Sequence, residues 1–146
     1  MGSTAGGCLC GAVRYTLARA PAEMDVCHCG MCRKHTGGLA LGLMVPRDEV
    51  TWEGFEHVGL FRSSDWAERG FCRTCGSGLF YRTLGDGPGS DMISLGAGSL
   101  DDLDGVRLTT EIFVDFQPDG YAFAGDLKRM TQAEVEAAFG SEEDSA

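Results

Sequence analysis

Cys8-Leu9-Cys10, Cys27-His28-Cys29-Gly30-Met31-Cys32 and Cys72-Arg73-Thr74-Cys75 are the stretches whose reading decides the fold. Together they hold all 7 cysteines of the chain. Spacings of one or two residues bring two sulfurs to one centre through a single knuckle of backbone. A tetrahedral zinc takes thiolates at about 2.3 Å, and two such knuckles close a four-cysteine site. An odd cysteine count leaves an all-disulfide framework with a spare thiol. Divided as four plus three, the cysteines describe one closed structural zinc and one zinc with an open position, which a catalytic zinc keeps.

The outer clusters, Cys8/Cys10 and Cys72/Cys75, supply two sulfurs each. Gly11 and Gly76 follow the second ligand of each, where the turn often needs positive φ. Either pair could instead cycle through a disulfide, but that use favours a βαβ setting, and the surrounding pattern is not βαβ. A zinc joining segments about 60 residues apart would contribute directly to folding.

The middle cluster packs Cys27, Cys29 and Cys32 into one short segment with no obvious fourth ligand nearby. His28 lies between two ligands, so its side chain should point away from the metal they share. His35 could fold back and close a three-cysteine, one-histidine structural site, the bland alternative to an open zinc. If the site is open, three thiolates leave the zinc a weak Lewis acid that accepts a soft thiol readily. Arg33 and Lys34 follow the last ligand and could bind the carboxylates of such a thiol. They could equally be a solvated basic pair.

Composition sets the surroundings of these clusters. The 146 residues fit one domain over 1–146, with a core at about 6–140 and an acidic tail at 141–146. There are 22 glycines, about double the ordinary share, and no asparagine. Spaced glycines between short apolar runs favour many turns and short strands. The formal net charge of −10 argues against a nucleic-acid partner, whose phosphates call for clustered Lys and Arg. The sequence shows no signal peptide and no apolar run of membrane-spanning length, so no membrane is expected. Reduced thiols then fit a cytoplasmic compartment.

Val13 to Leu17 alternates apolar and polar, the period of a half-buried strand. Leu39 to Val45, stopped by Pro46, reads as a buried strand. Val50–Trp52, His57–Arg62, Leu79–Thr83, Met92–Leu95 and Thr109–Phe116 read as further strands, and Asp86–Ser90 as a loop. Thr131-Gln132-Ala133-Glu134 is a capping box opening a helix with Val135, Ala138 and Phe139 on one face and Gly140 at its end. The class is mainly β with one short C-terminal helix.

The order Cys-x-Cys-Gly-x-Val-x-Tyr at Cys8–Tyr15, Cys-His-Cys-x-x-Cys-Arg-Lys at Cys27–Lys34 and Arg-Gly-Phe-Cys-x-x-Cys-Gly-Ser-x-Leu at Arg69–Leu79 resembles the glutathione-dependent formaldehyde-activating enzyme family, which includes a centromere-associated branch. Weaker likenesses continue through Gly98–Asp102 and Glu111–Asp115. The resemblance implies a β-tent fold around a zinc on Cys8, Cys10, Cys72 and Cys75, and a second, catalytic zinc on Cys27, Cys29 and Cys32. The family's name-giving reaction adds glutathione to formaldehyde, giving S-hydroxymethylglutathione, and is classed with carbon–sulfur lyases. Glu111 departs from the family pattern, where histidine is frequent, as does the Gly120-Tyr121 region, where tryptophan is frequent. Glu111 reads as a surface strand residue.

The expected function is that of a zinc-dependent carbon–sulfur lyase-type enzyme acting on a small thiol, with glutathione foremost. Its rival is a non-catalytic module held by two structural zincs. Methionine sulfoxide reduction on a similar scaffold would need a metal-free nucleophilic cysteine, which only the crowded middle cluster could supply.

Overall fold

Short strands stopped by glycine and charge, rather than long helices, are what this sequence forms. The computed structural model describes residues 3–139, excepting the side chain of Phe139. Its strands are β1 (Ala5–Gly7), β2 (Arg14–Leu17), β3 (Glu23–Cys27), β4 (Ala40–Pro46), β5 (Val50–Glu53), β6 (Val58–Arg62), β7 (Ala67–Cys72), β8 (Gly78–Thr83), β9 (Met92–Gly96), β10 (Arg107–Ile112) and β11 (Lys128–Met130). Two helices accompany them, α1 (Gly30–Thr36) and α2 (Gln132–Phe139). The expected mainly β class and its C-terminal helix are both present. The acidic tail and Gly140 lie outside the described residues.

The strands form two sheets. One has the order β1-β2-β5, the other β11-β10-β3-β4-β9-β8-β7-β6. Pairing is antiparallel except where β10 lies parallel to both β3 and β11. That parallel pairing sets Ile112 opposite Cys27, so β10 runs directly beside the middle cysteine cluster. The alternation read in Val13–Leu17 is borne out. Tyr15 and Leu17 point into a core shared by both sheets, with Leu43, Leu79, Leu95 and Leu100. Tyr15 also hydrogen-bonds Ser99 through its hydroxyl at 2.7 Å, so its polar end is satisfied inside the core.

Three expectations about the secondary-structure elements need correction. First, the strand expected over Thr109–Phe116 ends at Ile112. Phe113 adopts φ 58, alone among the described non-glycine residues in having positive φ, and a 3-10 turn follows over Val114–Phe116. The chain therefore turns away from the sheet and brings Tyr121 back towards β3. Second, β4 begins at Ala40 and ends on Pro46, paired with Met92, and it is not buried throughout, since Met44 is 54% exposed. Third, a second helix, α1, begins inside the middle cluster. Its sequence, Gly-Met-Cys-Arg-Lys-His-Thr, has no apolar period, and none of its residues is buried. Its N-cap is Cys29, whose sulfur accepts the Cys32 amide at 3.3 Å, so a cysteine takes the place of the usual Ser or Asp. The capping box of the C-terminal helix is present, while Ala138, expected on its apolar face, is exposed. Thr131 N donates to Glu134 Oε1 at 2.9 Å and Glu134 N to Thr131 Oγ1 at 3.3 Å, a reciprocal capping box.

Candidate metal centres and the adjoining groove

Two backbone knuckles far apart in sequence meet at the first centre. Cys8 and Cys10 follow β1, Cys72 ends β7, and Cys75 closes the turn to β8. The four sulfurs all lie within 4.8 Å of one another. Cys8 Sγ to Cys10 Sγ is 3.6 Å and Cys10 Sγ to Cys72 Sγ is 3.7 Å. A tetrahedron with metal–sulfur distances of about 2.3 Å has edges of about 3.8 Å, so this donor set fits one ion. A disulfide needs about 2.05 Å, and all seven cysteines are free. Backbone amides support the sulfurs. Val13 N donates to Cys8 Sγ at 3.3 Å, and Thr74 N and Cys75 N donate to Cys72 Sγ at 3.4 and 3.5 Å.

Cys27, Cys29 and Cys32 form the second group, also within 4.8 Å of one another. Among the described residues no histidine nitrogen or carboxylate oxygen completes that group, and His35 is not part of it. Three thiols this close cannot all ionise without a counter-charge. Hydrogen bonds from Cys27 and Cys32 hold the Cys29 thiol down to about 3, while the bond to Cys29, together with burial, pushes Cys27 well above its ordinary value. A soft divalent cation is the partner that such a donor set fits. Asp25, two residues upstream on β3, is pushed up to about 6 by burial and then by the charge at Cys32.

The side chains between and after these cysteines take distinct paths. His28 does turn away from the sulfurs. It is 2% exposed, with Nε2 2.9 Å from Glu111 Oε1 and Nδ1 3.4 Å from the Tyr121 hydroxyl. Glu111 Oε2 accepts from Arg129 Nε at 3.1 Å, so both carboxylate oxygens are acceptors and His28 Nε2 is the donor. The expectation that Glu111 is a surface residue is therefore overturned. It is 3% exposed, because β10 is flanked on both sides by β3 and β11.

Arg33 and Lys34 are exposed on α1 and line two adjoining depressions. One, of about 510 Å³, also touches Gly37, Gly38, Leu39 and Tyr121. The other, of about 450 Å³, reaches His28, Gly30, Met31 and Phe116. The basic pair lines both depressions, with the knuckle histidine in one and Tyr121 in the other, and none of the three cysteines is among their lining residues. Arg69, which the sequence reading quoted only within a motif, also belongs here. Its terminal nitrogens donate to Cys32 Sγ at 3.7 and 3.6 Å. Nothing in its local pattern marks it apart from Glu68, the other charge on β7.

Among the described residues no helix is long and apolar enough to cross a membrane. A protein of Schizosaccharomyces pombe named as an uncharacterized lyase is 27% identical over 130 residues, spanning 89% of this chain and 92% of that one. The crystal structure of a Rhodobacter sphaeroides protein matches with a TM-score of 0.55 at 25% identity, covering 72% of this chain and 99% of that chain. The sequence model of the glutathione-dependent formaldehyde-activating enzymes matches residues 3–116, a span holding both sulfur groups and the groove-lining Arg33 and Lys34. By that match, and by the two cysteine centres it encloses, this chain belongs to the glutathione-dependent formaldehyde-activating enzyme family.

Proposed function

We propose that this protein is a zinc-dependent carbon–sulfur lyase-type enzyme that joins a small thiol to a carbonyl carbon, or releases it from the adduct, with glutathione and formaldehyde as the leading pair. One observation carries the reading: three grouped sulfurs have no fourth protein donor among the described residues, and Arg33 and Lys34, which directly follow Cys32 on α1, line two depressions in the surface. In this reading Cys8, Cys10, Cys72 and Cys75 hold a structural zinc, and Cys27, Cys29 and Cys32 hold the working one. When bound there, zinc supplies a soft cation that favours thiolate over thiol at neutral pH.

The chain's own residues supply the rest. Arg33 and Lys34 bind the substrate's carboxylates and orient its sulfur towards the open side of the group. The Tyr121 hydroxyl donates a hydrogen bond to His28 Nδ1, and Glu111 fixes the imidazole ring through Nε2. Bond formation joins the thiol sulfur to the carbonyl carbon, and the thiol proton ends on the former carbonyl oxygen. Holding the two reactants together provides much of the acceleration.

Calorimetric titration of glutathione into the zinc-loaded protein tests this reading. Binding should weaken in Cys29→Ser and in the Arg33→Ala, Lys34→Ala double variant. The double variant should also lose most of the salt dependence, because the removed contribution is screened charge attraction. Undetectable wild-type binding at millimolar glutathione would remove the thiol reading.

A further inference from the structure

Arg69 is a buried cation without a carboxylate. It sits on β7 with 5% of its surface exposed, and no ion pair among the described residues includes it. The other arginines held against the sheet use oxygen acceptors. Arg82 Nε donates to Glu68 at 2.7 Å, and Arg47 Nε to the Met92 carbonyl at 2.9 Å. Arg69 instead donates from both terminal nitrogens to one sulfur, Cys32 Sγ. Its guanidinium carbon lies 4.9 Å from the centre of the Tyr81 ring, and its Nε is buried without an acceptor.

Keeping a guanidinium out of water is costly unless opposite charge is close. The ring face of Tyr81 offsets part of that cost. The remaining counter-charge in hydrogen-bond reach is the sulfur group. The charges then balance in one particular way. Three thiolates around a divalent cation carry −1, and a guanidinium brings the buried centre to zero. A fourth, anionic sulfur then enters a neutral centre rather than a negative one. The forked N–H pair also draws electron density from Cys32, and this leaves less of it for the metal. Arginine suits the position because its charge is constant and its two donors are fixed in one plane.

We propose that Arg69 is the counter-charge of the Cys27–Cys29–Cys32 centre and the residue that lets an anionic thiol enter it. This rests on the proposed function for the substrate but not for the Arg69–Cys32 contact. Two readouts separate them. The first is glutathione affinity of the zinc-loaded protein. The second is the sulfur-to-metal charge-transfer band of the cobalt-loaded protein without glutathione, after subtracting the four-cysteine contribution obtained from Cys29→Ser.

Arg69→Gln should weaken glutathione binding by about 10- to 100-fold and move the band to longer wavelength, since a sulfur relieved of its hydrogen bonds donates more readily. Arg69→Lys keeps the charge but not the flat two-donor fork, so it should lose less than about tenfold in glutathione affinity. Wild-type affinity and an unmoved band in Arg69→Gln would overturn the proposal. Absence of glutathione binding in the wild type would count against the thiol reading, while the band shift would still test Arg69. If Arg69→Gln does not fold, Arg69→Lys decides. A loss beyond about tenfold in a variant that keeps the charge overturns the counter-charge role.

Discussion

His28 Nε2 lies 2.9 Å from Glu111 Oε1, joining two residues 83 positions apart that are both almost sealed from solvent. The Cys-His-Cys segment thus divides its work between two sides. Cys27 and Cys29 contribute to the sulfur group, and the histidine between them ties the knuckle to β10. Arg129 and the Tyr121 hydroxyl extend the tie, and Gln117 closes it by donating to the Tyr121 carbonyl at 2.9 Å. The segment after β10 is held against the groove by this network rather than by apolar packing alone.

Glu111→Ala should lower stability by about 1–3 kcal/mol, because it leaves the buried His28 donor unpaired. Glu111→Gln keeps an acceptor and should cost less. Urea unfolding of the metal-loaded variants measures both. A loss below about 0.5 kcal/mol for Glu111→Ala, the range of ordinary surface changes, would show that the pair does not fix the knuckle.

Cys72→Ser should lower zinc content and melting temperature together. Cys72 is fully buried, and its sulfur meets that of Cys10 across 62 positions of sequence. An ion at that junction would hold the β1–β2 turn against the end of β7, and its binding energy would then be folding energy. Metal analysis with a thermal melt is the check. An unchanged melting temperature would count against a structural role for the centre.

Mild chelation should remove about one metal equivalent while the far-ultraviolet circular dichroism stays native. The three-sulfur group offers one protein donor fewer than the four-sulfur group, which leaves a position to an exchangeable ligand. The lost equivalent should be absent from Cys29→Ser at the outset. Departure of both metals together with the fold would contradict a division into structural and exchangeable centres.

Gly70→Ala should destabilise by about 1–3 kcal/mol through overpacking. A Cβ there would fall onto the Phe80 ring, which is itself fixed against Trp52 at 5.5 Å and beneath Arg82 at 5.0 Å. Gly38→Ala is the matching control. A Cβ at that position meets nothing within 4 Å, so the change should stay within about 0.5 kcal/mol. Equal effects at the two positions would show that the Phe80 packing is not what requires glycine.

The cysteine clusters by themselves settled a good deal about this protein. A knuckle of one or two residues between sulfurs is local geometry, so grouping the ligands required only their spacing. The capping box at Thr131 and the alternation in β2 were readable for the same reason, since each is a relation between residues a few positions apart. Glu111, Arg69 and α1 were not readable in this way. A lone carboxylate on a strand reads as surface until β3 and β11 cover it. Arg69 is one of two charges on β7, next to Glu68, until the sheet carries it to Cys32. The helix after Cys29 has no apolar face, and its cap is a sulfur ordered by the cluster itself. In each case the deciding partner lies on another strand or at the cluster, and only the closed sheet, with β10 parallel to β3, brings it within reach.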